Sequence, residues 1–186
     1  ITDALKQILI SENGEINQFD TIAENLMSAS IESVQLAPHG VVTDIYPAEG
    51  NEAGKIDLLH DKDRGEISCY ARDNHTVITQ GPFELKQGDY GIAVRNPVYL
   101  TDSNNQEYFW GFTIVILRVP DIFSDSLYAL SNFGYEYRIS KTASPWSDTY
   151  KVVYQSDGQL THPVSYDFKI GAESWRFEVT PKSGWR

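Results

Sequence analysis

The chain has 186 residues, 41% hydrophobic and 12% aromatic, which is enough for one good core or two small ones and excludes a disordered chain. Its 26 acidic against 15 basic residues leave a net charge of -11, a sign that repels phosphate backbones and anionic headgroups and sets nucleic-acid binding aside. A single cysteine, Cys69, excludes an intrachain disulfide, and the longest apolar run, FWGFTIVIL at 109–117, falls far short of the roughly 20 residues that cross a bilayer as a helix.

From the N-terminus, TDALKQILI repeats apolar residues at helical spacing until NGE at 13–15 breaks them, so it reads as the end of a longer helix. The chain opens on Ile1 without the residue order of a signal peptide, and it reads as a piece of a longer protein. A second helix is expected from Asn17 to Met27, with Phe19, Ile22, Ala23 and Leu26 on one side. SIESVQLAPHGVVTDIYP predicts two short strands around Ala37-Pro38-His39-Gly40, where proline and glycine supply a restricted and a permissive φ. After a polar loop, AEGNEAGKI, Asp61 or Asp63 is expected to cap a helix that runs to Asp73, with Cys69 buried as a small apolar residue. TVITQGPFELKQ and GIAVRNPVYL follow as strands joined at Lys86-Gln87-Gly88-Asp89, and FWGFTIVILRV, apolar on both faces, predicts a central strand. Pro120 opens a helix whose buried side is expected to hold Ile122, Leu127, Leu130 and Phe133, and Gly134 ends it. YEYRIS, TYKVVYQ, VSYDFKIG and ESWRFEVTP then predict four more strands. The order is that of an α+β fold with two directly packed units, the first larger, and residues 119–186 forming the second.

Chemistry has few footholds. The four histidines, His39, His60, His75 and His162, lie in separate segments without a closely spaced ligand pair, so no metal site and no cofactor is expected. No nucleophile-elbow, P-loop or dinucleotide motif occurs, and carboxylate pairs are too common in an acidic chain to nominate an acid and a base, so catalysis, as by a carboxylate hydrolase, is not expected. The strand from Tyr90 to Pro97 says more. Tyr90, Ile92 and Val94 point to one face and fill a core, while Gly91, Ala93 and Arg95 leave room on the other and end in a guanidinium able to fork onto a carboxylate or phosphate. Two readings stand here: the floor of a ligand pocket, or an ordinary hairpin with Arg95 paired to Asp44, Asp57 or Asp63 inside the protein. Tyr46, Phe83, Tyr99 and Trp110 are the aromatic residues placed to wall such a pocket.

LAPHGVV at 36–42, YPAEGNEAGKIDLL at 46–59, YARD at 70–73 and GPFELKQGDYGIAVRNPVY at 81–99 occur in one order that resembles the CHASE family of sensor domains. FWGF at 109–112, GYEYRIS at 134–140 and the terminal W-x-F-x-V-T-P-x-x-G-W at 175–185 are similar to its bacterial members. The resemblance implies an extracytoplasmic, non-enzymatic input domain: a stalk helix ending within residues 1–16, then two PAS-like units, each an antiparallel sheet with helices. Residues 17–118 would be the larger, membrane-distal, ligand-binding unit and 119–186 the proximal one. It also implies membrane anchoring by flanking transmembrane helices, one of them after Arg186, a homodimeric receptor, and a cytoplasmic histidine kinase or diguanylate cyclase. Carried over by position, the pocket residues are Asp63 or its neighbour Arg64 in the helix before the G-P-F strand, Gln80 just before Gly81, and Arg95 two residues before P-V-Y. With Tyr46, Phe83, Gly91 and Ala93 these make the expected site. An arginine in place of a small hydroxyl residue argues against a plant-type cytokinin and for an anionic small molecule. Asn74-His75 stand where the family usually has Thr-Gly, and Asn74 is expected to take the left-handed conformation there. The rival reading is a protein-interaction or dimerisation module in which the vacated strand face is filled by the domain's own loops.

Overall fold

The computed structural model describes residues 1–48, 53–86 and 88–185. The polar stretch EGNE at 49–52, within the expected loop at 48–56, lies outside these residues, as do Gln87 of the expected Lys86–Asp89 turn and Arg186. Two antiparallel sheets and a few helices make an α+β fold. The first sheet contains β1 (Ile31–Pro38), β2 (Asp44–Tyr46), β3 (Ile78–Glu84), β4 (Tyr90–Thr101) and β5 (Glu107–Val119), in the order β2-β1-β5-β4-β3. β5 is therefore the central strand, as its two apolar faces require.

Each face of this sheet carries its own core. On one side, α1 (Thr2–Ser11) lays Leu5 and Leu9, both fully buried, against Val34, Val98, Leu100 and Val115, and α2 (Phe19–Leu26) adds Phe19 and Ala23. Asn96 Nδ2 donates to Asp3 Oδ1 at 2.8 Å and the Thr113 hydroxyl to the Thr2 carbonyl at 2.9 Å, which pins the start of α1 to β4 and β5. On the other side, α3 (Gly65–Asp73) buries Ile67 and Ala71 against Ile78, Phe112 and Ile114. The expected side-chain cap is absent from α3 itself, whose N-cap residue is Arg64; Asp61 instead holds the turn leading into it, one carboxylate oxygen accepting the backbone N–H of Asp63 and of Arg64, each at 2.9 Å. Cys69 is half-buried rather than buried, its thiol 3.6 Å from the Leu59 carbonyl. At the far end of α3 it is His75, at φ 50°, that enters the left-handed region, while Asn74 stays at φ -104°; stacking of the His75 ring on Tyr99, centroids 3.9 Å apart, compensates.

The second sheet contains β6 (Tyr135–Thr142), β7 (Tyr150–Gln155), β8 (Val164–Ile170) and β9 (Glu173–Pro181), in the order β7-β6-β9-β8. The helix expected from Pro120 divides into a 3₁₀ turn, Asp121–Phe123, and α4 (Ser124–Asn132). The change of helical period rotates Ile122 out to solvent, and Phe133, one residue beyond α4, is 81% exposed; Leu127 alone of the four expected residues is fully buried. Leu127 joins Tyr137, Ile139, Val153 and Trp175 in a third core, which also takes Ile92 and Val119 from the first sheet. The sheets meet again where the backbone N–H of Ala172 donates to the Val77 carbonyl at 3.2 Å.

Candidate ligand-binding site

Register places the site. Ile78, Arg95, Ile114 and Gln35 lie side by side across β3, β4, β5 and β1, and Gln80, Ala93, Ile116 and Ser33 form the next row. Directly opposed residues share a sheet face, so both rows look toward the α3 side. α3 covers part of the first row; a cavity of about 660 Å³ opens over the rest, floored by Ala93, Arg95, Ile114 and Ile116 and flanked by Ser33 and Gln35. That volume is in the range of small-molecule sites.

Of the expected residues, the fold brings Asp63, Arg64, Gln80, Phe83, Ala93 and Arg95 to this cavity. Tyr46 is not brought there. It sits opposite Val34 and packs into the α1–α2 core, on the sheet's other face. Gly91 is not on the cavity wall either: a Cβ there would lie 2.8 Å from Leu85 Cδ2 and 3.2 Å from Phe83 Cε2, so these side chains already occupy the space the glycine leaves. The open floor is at Ala93. Tyr90, expected in the core, is 49% exposed, because β4 begins there at the end of the sheet. Tyr99 and Trp110 are also elsewhere, Tyr99 beneath His75 and Trp110 in the α1–α2 core.

Arg95 is the chemical centre of the cavity. It is 3% exposed, and its Nη1 donates to Gln80 Oε1 at 2.6 Å and, at 3.5 Å, to the Ser68 hydroxyl on α3. Gln80 is oriented in turn, its Nε2 donating to the Asp63 carbonyl at 2.8 Å. The internal ion pairs of the alternative hairpin reading do not form: Asp57 holds His60 at 2.8 Å, Asp44 accepts from the Thr43 hydroxyl, and Asp63 offers Gln80 only its carbonyl. Among the described residues, no carboxylate lies within ion-pair distance of Arg95, and its Nε is buried without a hydrogen-bond partner. Burial, aided by the nearby Arg64 charge, lowers the guanidinium's pKa to about 10, against the opposing pull of Asp61 and Glu173. It remains a cation at neutral pH, desolvated and without an anion of its own among the described residues.

The rest of the wall comes from places the strand pattern does not mark. Glu84, Leu85 and Lys86 follow the bulge between Gln80 and Phe83; Glu32, at the start of β1, is 2.5 Å from Arg118. Ser33 and Gln35 were the readable signal, two polar residues on alternate positions of β1. Lys151 comes from the second sheet, on β7, and Ala143 from the loop just after β6.

The CHASE-domain family profile matches residues 12–149. The chain belongs to the CHASE family. CHASE domains are extracytoplasmic sensory domains, so this chain is a sensory module and not a catalytic one. Comparison with curated proteins finds no match. Among solved structures, the chain is similar to an extracellular ligand-binding receptor from Desulfohalobium retbaense, with TM-score 0.64 and 14% identity over 96% of this chain. The CHASE chain spans only 35% of that receptor's chain. It is also similar to the ligand-binding domain of the Pseudomonas aeruginosa amino-acid chemoreceptor PctC, determined in complex with GABA, with TM-score 0.55 and 14% identity over 95% of this chain and 88% of that one. At these identities the likeness is one of fold, the PAS-like sensor fold of two stacked sheets.

Proposed function

We propose that this CHASE domain senses an anionic small molecule bound over Ala93 and Arg95, in a membrane-distal unit spanning residues 17–118, and that residues 119–186 relay the signal. In the intact receptor, residues 1–16 end a stalk helix, flanking transmembrane helices anchor a homodimer, and the output is a histidine kinase or a diguanylate cyclase. The observation that carries this reading is Arg95: a guanidinium 3% exposed on a cavity floor, with a buried Nε that no group among the described residues satisfies. An uncompensated buried charge is costly, and a bound carboxylate removes the cost. That the similar PctC domain was solved with a small molecule supports a ligand in this fold. To signal, the ligand must bind one arrangement of the receptor better than the other.

A thermal-shift and calorimetric screen of organic acids, nucleobases and amino acids tests this. The expected result is an anionic binder whose affinity falls by about 2–3 kcal/mol in Arg95→Ala, a hundredfold loss. No binder in the screen, or a binder indifferent to Arg95→Ala with the variant folded by circular dichroism, overturns the assignment.

A further inference from the structure

The second sheet supplies a cation to the same cavity. Lys151 on β7 lines it, exposed, and has no side-chain partner among the described residues. Directly across the strand pair from Lys151 is Lys141 on β6, which is fully buried and donates from Nζ to the Thr142 carbonyl at 2.8 Å. Like charges placed opposite each other on two strands destabilise the pair. Glu173 is the carboxylate that acts on Lys141, and both of its oxygens accept the Thr79 N–H at 3.0 Å. In a chain of net charge -11, one cavity thus faces Arg95 from the first sheet and Lys151 from the second, with the buried Lys141 directly behind Lys151 across the strand pair. Of the carboxylates on the wall, Glu32 is held by Arg118, while Asp63 and Glu84 are exposed on the first-sheet side. Those two favour an ammonium at the rim, and the choice between ammonium and second anion is the point to test.

Resting on the sensing function proposed above, we infer that the ligand is a dicarboxylate, one carboxylate forked on Arg95 and the other on Lys151, so that the bound molecule ties the two sheets together. Its second carboxylate offsets the repulsion between the two lysines. Because its two anchors belong to different sheets, its affinity depends on how the sheets sit, which is the differential affinity that signalling needs.

Calorimetry with succinate, glutarate, adipate, butyrate and 4-aminobutyrate distinguishes the options. One dicarboxylate is expected to bind at least about tenfold tighter than butyrate, and Lys151→Gln to remove that preference while butyrate affinity stays unchanged. Arg95→Gln is expected to weaken both acids. Lys151 is exposed, so its replacement leaves the core intact. Any of these outcomes overturns the inference: dicarboxylates no better than butyrate, 4-aminobutyrate better than every dicarboxylate, a preference that survives Lys151→Gln, or no binding by any of the five. Butyrate binding that depends on Arg95 without any dicarboxylate preference sinks the dicarboxylate and keeps the anion pocket. Silence from all five compounds sinks the dicarboxylate, and the broad screen then decides the sensing function separately.

Discussion

At Gly81 the backbone adopts φ 135°, and a Cβ there would come within 2.7 Å of the Gly91 carbonyl oxygen on the neighbouring strand. Neither strain nor contact can relax cheaply, because the obstacle is backbone. Gly81→Ala is therefore expected to cost about 1–3 kcal/mol, read as a lower urea midpoint with an unchanged m-value. The bulge that Gly81 permits, between Gln80 and Phe83, also explains which part of the site was readable. Strict alternation along β4 is enough to put Ala93 and Arg95 on one face, and the cavity is there. Alternation also put Gly91 on that face, correctly, but could not tell that the bulged strand would turn Phe83 and Leu85 into its gap. A missing side chain marks a vacancy only when no neighbour fills it, and that depends on a register shift with no residue-level signature.

Among the elements, α1 shows how far periodicity reaches. Leu5 and Leu9 are four residues apart, on one stripe, and both are completely buried against β4 and β5. Leu9→Ala is expected to cost about 2–5 kcal/mol in chemical denaturation, since the sheet beneath cannot collapse into the cavity left. Ile10→Ala, on the exposed side of the same helix at 45% exposure, is expected to stay within about 0.5 kcal/mol of the parent. Equal costs would mean that α1 does not pack as described. Where the period is uniform, as in α1, α2 and the doubly apolar β5, the sequence is a good guide to burial. It misleads after Pro120, because three residues of 3₁₀ turn precede α4 and shift the stripe, leaving Ile122 and Phe133 outside. An element boundary that changes the helical period is invisible to a pattern that assumes one period.

At the scale of the molecule, the junction between sheets rests on a buried carboxylate. Glu173, fully buried at the start of β9, reaches across to the Thr79 N–H on β3, 94 residues away in sequence. No local pattern announces such a contact, nor that Lys151 joins Arg95 at one cavity: both follow from how two separately legible sheets dock. The contact has a measurable consequence. Burial raises the Glu173 pKa from its ordinary 4.5 to about 6, against the opposing effects of the Thr79 N–H and the Lys141 charge; Arg95 is the other cation in its field. Between those two values the folded protein binds more protons than the unfolded chain. The contribution of Glu173 is thus fully present below pH 4.5 and is lost as pH rises through about 6, an effect of about 2 kcal/mol. Asp57, Asp61, Asp73 and Asp167 have carboxyl pKa values below the ordinary 3.8, so their contributions fade in the opposite sense and only at lower pH. Glu173→Gln keeps the shape and an acceptor for Thr79 but cannot ionise. The difference in unfolding free energy between parent and variant is expected to change across pH 4.5 to 6 and to be level on either side. A difference flat through that window would mean that Glu173 titrates normally, and that the sheets dock without burying its charge.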